Sequence, residues 1–589
     1  MEKIWKLQNP APPEFLAQYP ELPTLVADLL YHRQLLTPEQ IDEFLNPDYL
    51  HHVHDPFQFN QMEKAVDRIF LAIEQKQKIT IHGDYDADGV CASVILADTL
   101  RALGSNNHDV FLPHREVDGY GLNANTVDLF IHNQVNLIIT CDCGIGSTEE
   151  IAQAKAKGID TIVTDHHAIP DQTPEAFAII HPKMPNEAYP DKGLCGGAVA
   201  YKLAQALLRR QKEKKLPLVG TQYSPNAFEK WLLDLVAIAS VADMVPLLGE
   251  TRVLTNFGLV VLNKTGRLGL QKLLLEARLV QEADTGGEKR ELDAQTIAFQ
   301  IAPRINAAGR MDHANAAYQL LTTGDPTEAI DLAFALNNNN TERQKTTDEL
   351  FREATKQIAS QPEQPINFVI NHDWPAGIIG LLAGRLKDKY YKPAIVMTEN
   401  EEEIVGSGRS LEGFNLIQAL QTCTDFFKKF GGHPLACGFT LKDKTRREEL
   451  QQKLNDIFRT ETAGQELRPI LYIDAQTELE KVDWDLYSLL EKFRPFGQNN
   501  ERPKYLATDL TIHNLEKVGS DGKHLRLLLR TPRNQIRKAM GWRLGNGNGH
   551  NWAQELRVGD RLDIVFELEK NTWNGNDELQ ITIVDLKKK

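Results

Sequence analysis

The stretch IHGDYDADGV, Ile81 to Val90, sets His82, Asp84, Asp86 and Asp88 between a β-like run and a helix-like one. Carboxylates this close raise one another's pKa values unless a cation sits among them. Further along, TCDCG places Asp142 after a second β-like run, and TDHH places Asp165, His166 and His167 after a third. Asp243 falls in SVADMVPL, where an apolar helical pattern ends just before Pro246. Ligands of open α/β sheets bind beyond the carboxyl ends of the strands, so these residues are expected to converge on one cleft. Taken singly, an Asp after a strand is more often a turn or cap residue. Taken together they point to a cation site. Oxygen-rich ligation with one or two imidazoles suits Mn²⁺ or Mg²⁺ better than a thiolate-seeking metal. Two ions sharing a bridging carboxylate favour in-line attack on phosphorus, so hydrolysis of a phosphate ester or anhydride is the expected chemistry.

The elements that must position these residues follow from periodicity. From Lys78, apolar β runs alternate with amphipathic helical patterns, which predicts a mostly parallel, doubly wound sheet. Long helical patterns follow, AVAYKLAQALLRRQKEKK and FEKWLLDLVAIASVADMVPL, and then a helical bridge through TERQKTTDELFREATKQIA. A second α/β rhythm opens near Ile366, and after about Glu466 short alternating β runs with turn signals predict a β barrel, with Asn546 to His550 (NGNGH) as one of its loops. The expected fold class is therefore α/β: a parallel-sheet domain, a second α/β domain joined to it by a long helix, and a C-terminal barrel. The expected boundaries are 1–60 for an N-terminal helical appendage, 61–260 for the first α/β domain, 261–362 for the helical region and connecting helix, 363–465 for the second α/β domain and 466–589 for the barrel.

Composition narrows the class. At 589 residues and 42% hydrophobic, the chain can bury several cores. No apolar run approaches the roughly 18 residues of a membrane span, and the opening lacks the basic start and apolar core of a signal peptide. A cytoplasmic protein without a membrane partner is expected. The six cysteines form no CxxC pair, which speaks against a zinc ribbon or a disulfide scaffold; Cys141 and Cys143, flanking Asp142, are expected to be small buried residues. A net charge of -15 argues mildly against nucleic acid, although it says nothing about distribution. The barrel segment carries Lys523, Arg526, Arg530, Arg533, Arg537, Lys538 and Arg543 with Trp542 among them, suiting a basic groove with a stacking platform for single strands.

The motifs HGDYDADG, TCDCG, TDHH and SVADMVPL resemble, in that order, the four motifs of the DHH phosphoesterases. PRINAAGR (Pro303 to Arg310), SGRS (Ser407 to Ser410) and FGGHPLACGF (Phe430 to Phe439) are similar to the DHHA1 domain of that family's single-strand-specific exonucleases, and RPFGQNNERP (Arg494 to Pro503) to the segment entering their OB-fold domain. The resemblance covers nearly the whole chain. It implies that Asp86, Asp88, Asp142, His166 and Asp243 ligate two ions, with Asp142 bridging. His82, Asp84, Asp165 and His167 are implied either as ligands or as groups that orient them; His82 and Asp84 are counted with the ligands, and His167 joins Asp142 and His433 as catalytic.

Guanidinium grips phosphate oxygens bidentately, which makes Arg304, Arg310 and Arg409 the expected substrate contacts, with Ser407 adding a hydroxyl. Arg115 in PHREVDGYGL resembles a position that relatives use near the terminal phosphate, and His433 is expected beside the scissile one. Two departures from the family pattern occur, Gly497-Gln498-Asn499-Asn500 for GQGN and Ala436-Cys437-Gly438 for Ala-Ala-Gly. The implied activity is a metal-dependent 5'→3' exonuclease degrading single-stranded DNA to mononucleotides in repair and recombination. Single-strand-binding protein and a helicase are the implied partners of a monomer. The alternatives are a DHH phosphodiesterase acting on short oligonucleotides or cyclic dinucleotides, and a non-catalytic DNA-binding scaffold.

Overall fold

The computed structural model describes residues 2–589 apart from Glu116, residues 281–290, Asp312, Asp373 and residues 520–521, 546–550 and 574–575, so the expected NGNGH loop lies outside the described residues. Two compact units separate. The larger comprises His54–Val245 with Phe257–Leu467; the smaller comprises Met1–Val53, Pro246–Asn256 and Arg468–Lys589.

In the larger unit the runs ITIHG, LIITC and DTIVT form the strands Ile79–Gly83, Leu137–Cys141 and Asp160–Thr164. With His108–Phe111 and Ala178–Ile180 they make a five-stranded, all-parallel sheet. Its order is 108–111, 79–83, 137–141, 160–164, 178–180. Every residue of the first two of those runs is buried, as a sheet covered on both faces requires. The helix Ala87–Ala102 leaves the first strand through a short turn in which Asp86 caps the amides of Asp88 and Gly89.

A 35-residue helix, Pro326–Ser360, opens with Asp325 as N-cap and Pro326 in its first turn, and extends about 50 Å. It leads into a second sheet of order 427–433, 436–441, 404–409, 394–399, 367–372, in which only the last pair is parallel.

The smaller unit is built on a closed barrel. Tyr505–Val518 pairs with His524–Arg530 on one side and with Arg561–Trp573 on the other, and Ile536–Gly541 and Asn576–Lys588 complete the circuit. The first fifty residues are not the separate appendage expected from sequence. Phe15, Leu29, Leu30 and Phe44 share one core with Phe493, Tyr505 and Phe566, and Ile4–Leu7 runs parallel to Ile470–Ile473. The loop after Phe493 is tied from both sides by buried arginines: Arg33 Nε donates to Asn500 Oδ1 (2.7 Å) and Arg252 Nη2 to Lys492 O (2.8 Å). Asn499, standing where the family pattern has glycine, adopts φ +57°, a conformation Asn tolerates better than most residues.

Part of the basic groove expected on the barrel is offset. Arg526 pairs with Glu516 across the ladder, Arg533 with Glu478 and Lys538 with Glu578, while Arg537 donates to Val482 O. Cross-strand register brings Arg526 opposite Glu516, and such pairs leave little far field. Trp542 still offers a half-exposed ring beside His524.

Phe44 packs edge-on against Phe493 at 5.2 Å and is buried. Phe44→Ala is therefore expected to destabilise the barrel by about 3 to 5 kcal/mol, read as faster hydrogen exchange at Leu525–Leu529. Unchanged exchange there would mean that the N-terminal helices are a separate body.

Candidate metal centre and phosphate-binding face

Three groups of side chains in the larger unit bring ligand atoms within 4.8 Å of one another: Asp84, Asp86 and Asp142; Asp142, His166 and His167; and Asp88, His166 and Asp243. Each comes from the carboxyl edge of the parallel sheet or the end of a helix packed on it. Asp142 follows its strand at φ +61°, a left-handed turn that only a few side chains accept, with its amide donating to Thr164 O. Asp243 is the C-cap of the helix Leu233–Ala242. His166 lies at the centre, its Nε2 3.1 Å from Asp142 Oδ1, 3.5 Å from Asp243 Oδ2 and 3.8 Å from Asp88 Oδ2.

Glycines make this crowding possible. The amides of Gly196 and Gly197, opening the helix Gly196–Glu213, donate to Asp88 Oδ2 (2.8 Å) and Oδ1 (2.6 Å). A Cβ on Gly196 would fall 2.5 Å from Asp142 Oδ1, and one on Gly89 2.6 Å from the Asp84 amide. The sequence reasoning missed the glycine pair, yet CGGAVAYK, two glycines opening a helical pattern, is the signal of a helix N-terminus that approaches an anion.

The electrostatics are those of crowded, buried carboxylates. Burial and neighbouring carboxylates push Asp88 up to about 7 and Asp243 to about 8, and hold Asp84 and Asp142 well above the usual range. Burial and the adjacent His167 pull His166 down to about 3. For His167, burial opposes the charge, but the bond from Nδ1 to Asp165 Oδ1 (2.8 Å) prevails and raises it to about 9. Asp165 goes the other way: despite burial, His167 and the Ile145 amide hold it at about 2. Asp84 Oδ1, Asp142 Oδ1 and His166 Nε2 are buried and lack a hydrogen-bond partner among the described residues. Buried orphan acceptors on oxygen and imidazole fit a hard divalent ion.

Of the expected ligands, His82 is placed elsewhere. Its ring lies inside the strand, stacked on Phe111 at 5.6 Å and edge-on to Phe130, whereas Asp84 follows the strand's end, and burial pulls the imidazole down to about 4. It belongs to none of the three groups. Asp165 likewise orients His167 from behind and faces no ligand group. Cys141 and Cys143 are buried free thiols, and no cysteine among the described residues joins a group. Two further residues went unnoticed in the sequence. The Tyr120 hydroxyl lies 3.0 Å from His167 Nδ1 and 3.2 Å from Asp142 O, and Lys183 Nζ donates to His166 O at 2.6 Å.

The helix Ala302–Met311, carrying PRINAAGR, joins the loop of Asp84 to Asp88, the candidate metal loop, to the second sheet. Asn306 Oδ1 accepts from the Ala87 amide at 2.7 Å, and a Cβ on Gly309 would sit 2.7 Å from Tyr85 O. Arg310 Nη1 donates to Gly377 O (3.0 Å) on the helix Ala376–Tyr390. One turn later, a Cβ on Gly380 would be 3.0 Å from Arg409 Nη2 and 3.2 Å from Ser407 Oγ. Arg409 Nη1 itself donates to Ser407 Oγ at 3.1 Å, and the Arg115 guanidinium lies over the Tyr85 ring at 4.9 Å.

Ladder register explains the GGH segment. His433, Ala436 and Arg409 stand in one row across three strands, and Gly431, Gly438 and Ser407 in the next row on the same face. A Cβ on Gly431 would meet nothing, so this face is open backbone between Arg409 and His433, where a phosphate can approach closely. His433 is exposed and belongs to no ligand group. Cys437 points the other way, into a core with Phe439, which is why it replaces alanine without touching this face.

A parallel sheet with carboxylates and paired histidines at its carboxyl edge, followed by a small mixed sheet bearing arginine and glycine, defines a phosphoesterase of the DHH class. The DHH family, N-terminal domain, matches residues 78–240, the DHHA1 domain residues 364–460 and the RecJ OB domain residues 473–585. The chain is 35% identical to the single-stranded-DNA-specific exonuclease RecJ of Bacillus subtilis (strain 168) over 589 residues, covering 99% of this chain and 70% of that protein. It is 31% identical to its namesake from Salmonella typhimurium, covering 90% of each. Among solved structures, RecJ of Thermus thermophilus in complex with Mn²⁺ superposes with a TM-score of 0.81 at 24% identity, covering all of this chain and 80% of that one. An exonuclease RecJ bound to manganese superposes at 0.57 with 29% identity, over 68% of this chain and 94% of that one. The chain belongs to the RecJ family.

The raised carboxylates predict a pH response in metal-free protein. Folded Asp88 and Asp243 keep their protons to about pH 7 and 8, whereas unfolded carboxylates lose them near 4. The native carboxylates therefore bind more protons across that window. His82, His166 and His181, held low by burial, oppose this below about 6.5, so stability in EDTA is expected to fall as pH rises from about 6.5 through 8. His167, raised to about 9, adds to the same trend. Adding Mn²⁺ near neutral pH should release roughly one proton or more per chain, measured in weak buffer. EDTA-treated protein that gains stability over this range would contradict the assignment.

Proposed function

We infer that this chain is a metal-dependent hydrolase that degrades single-stranded DNA from its 5' end to mononucleotides, in DNA repair and recombination, using Mn²⁺ or Mg²⁺. The observation that carries this is one unit holding three overlapping carboxylate and imidazole groups beside an open glycine face flanked by Arg409, Ser407 and His433. Asp84, Asp86 and Asp142 would hold one ion, and Asp88, His166, Asp243 and Asp142 the other, with Asp142 common to both. Bound there, the ions supply Lewis acidity at the scissile phosphate.

The chain's own residues do the rest. The glycine amides at 196 and 197 fix Asp88, and Lys183 holds the His166 backbone. His167, oriented by the bond from Nδ1 to Asp165, would supply its Nε2 proton to the departing 3' oxygen of the terminal nucleotide, and the proton released by the attacking water restores it. The P–O3' bond breaks and a bond from water oxygen to phosphorus forms, which leaves a nucleoside 5'-monophosphate and a shortened strand with a new 5' phosphate. Arg409, Ser407 and Arg115 grip that terminal phosphate and so set direction, with Arg310 and Arg304 on the adjoining phosphates. All cysteines among the described residues are free and buried, and no described helix is long and apolar enough to cross a membrane. We place the protein in the cytoplasm as a monomer, receiving strands from a helicase and single-strand-binding protein; light scattering of the purified chain tests the monomer.

Asp142→Ala is expected to abolish turnover of end-labelled oligonucleotides while leaving the EDTA melting temperature equal or higher, since removing one anion relieves repulsion. Wild-type turnover in that variant would sink the assignment. Arg409→Ala should cost about 1.5 to 3 kcal/mol in kcat/KM on 5'-phosphorylated strands, with the Mn²⁺ concentration for half-maximal activity unchanged. Equal losses on 5'-hydroxyl strands would remove Arg409 from the terminal phosphate.

A further inference from the structure

We propose that Arg343, with Arg304, forms a second phosphate-binding arm that holds the strand on the 3' side of the cleaved bond. This rests on the exonuclease function inferred above and extends it to a subsite beyond the terminal phosphate. Five half-buried guanidiniums, Arg115, Arg304, Arg310, Arg343 and Arg409, lie in the larger unit, and none is within ion-pair distance of a carboxylate among the described residues. Elsewhere in the same unit half-buried or buried arginines are matched: Arg267 is bound by Asp98 and Asp234, and Arg68 by Asp160.

Four of these five are aimed by neutral acceptors. Arg304 Nε donates to Asn337 Oδ1 (3.0 Å), Arg343 Nη2 to Asn340 Oδ1 (2.9 Å), Arg310 to Gly377 O, and Arg409 to Ser407 Oγ and Gly408 O. An amide or hydroxyl oxygen aims a guanidinium without discharging it. Asn337, Asn340 and Arg343 are spaced three apart on the helix Pro326–Ser360, so they share one face, and Asn340 and Thr347 on that face are buried. Arg343 Nε is itself buried without a hydrogen-bond partner among the described residues.

Arg310 is the junction. Arg115, Arg343 and Asp86 of the metal loop all act on it, and burial together with the two arginines holds it down at about 10. Arg343 in turn is lowered by burial and by Arg304, and Arg409 by burial with Arg115 as a neighbour. From Arg409 beside Gly380, by way of Arg310 on Gly377 O next to Tyr85 of the metal loop, to Arg304 and Arg343 on Asn337 and Asn340, the guanidiniums form a series with two ends. One end is the terminal-phosphate pocket. Once that end is filled and the scissile phosphate is at the carboxylates, the other end is reached only by phosphates of later nucleotides.

The test compares kcat/KM with Mn²⁺ on a 5'-phosphorylated dinucleotide and on a 5'-phosphorylated strand of about twelve nucleotides. For wild type the longer strand should be favoured. In Arg343→Gln that preference is expected to shrink roughly tenfold, with the slope of log affinity against log salt falling by about 0.7. Arg343→Lys should recover part of it, keeping the charge but not the fork. The melting temperature in EDTA should not fall, because a cation has been removed from a repelling cluster. An equal loss on both substrates would move Arg343 to the terminal phosphate or metal loop, and no loss would make it a solvated charge; either overturns the proposal, as does a lower melting temperature that accounts for the whole effect. Failure of wild type to cleave either substrate would instead defeat the exonuclease function itself.

Discussion

Repulsion among the carboxylates at the carboxyl edge of the parallel sheet is the constraint on which the larger unit depends. Asp84, Asp86, Asp88, Asp142 and Asp243 contribute oxygens to groups only a few ångströms wide. Without metal, the fold answers with protons, raising Asp88 and Asp243 toward neutrality, and with the amides of Gly196 and Gly197. Neither is a full counter-charge. A salt bridge from a lysine or arginine would have satisfied the cluster and closed it to cations, so its incompleteness is what leaves room for ions.

The same constraint explains why the helix Ala302–Met311 carries so many small or amide side chains. To bring a phosphate to those carboxylates, the arginine face must stand at a fixed distance from the metal loop. Asn306 holds the Ala87 amide, Gly309 admits Tyr85 O, and Arg310 reaches Gly377 O. These residues couple the two sheets of the larger unit through short, stiff contacts. A larger residue at 309 would push the loop and the arginine face apart together.

Much of this was legible in sequence because strand ends are marked by local pattern: an apolar run followed by Asp or His fixes both the element and the place of the side chain. His82 shows the limit. It lies one residue inside the strand, its ring stacked on Phe111, while Asp84 lies past the strand's end in the turn to the helix, so proximity in sequence to Asp84 meant nothing in space. The shared core of the N-terminal helices and the barrel was illegible for another reason. Phe44 and Phe493 lie far apart in the chain, and no local periodicity records such a pairing. The partners of the barrel arginines were illegible because charge pairing can depend on cross-strand register: Arg526 faces Glu516 only once the hairpin has closed. Arg343 drew no notice because, on a helix, a lone arginine reads as a solvated charge until its neighbours are known.

The larger unit thus carries two clusters of like charge, carboxylates at one sheet edge and guanidiniums on the helices and sheet beyond, and it keeps them from neutralising each other. Arg310 feels Asp86 but is anchored on a backbone carbonyl; Arg304 and Arg343 are anchored on asparagine side chains. Direct pairing would be favourable in the empty protein and would cost function, since a carboxylate bound to arginine is a poorer metal ligand and an arginine bound to a carboxylate a poorer phosphate grip. Holding the guanidiniums with neutral oxygens leaves both sets unspent. A polyanionic strand with its divalent ions would complement both at once, the cations on the carboxylates and the phosphates on the arginines. A net charge of -15 is no obstacle to such binding, because what the strand meets is local.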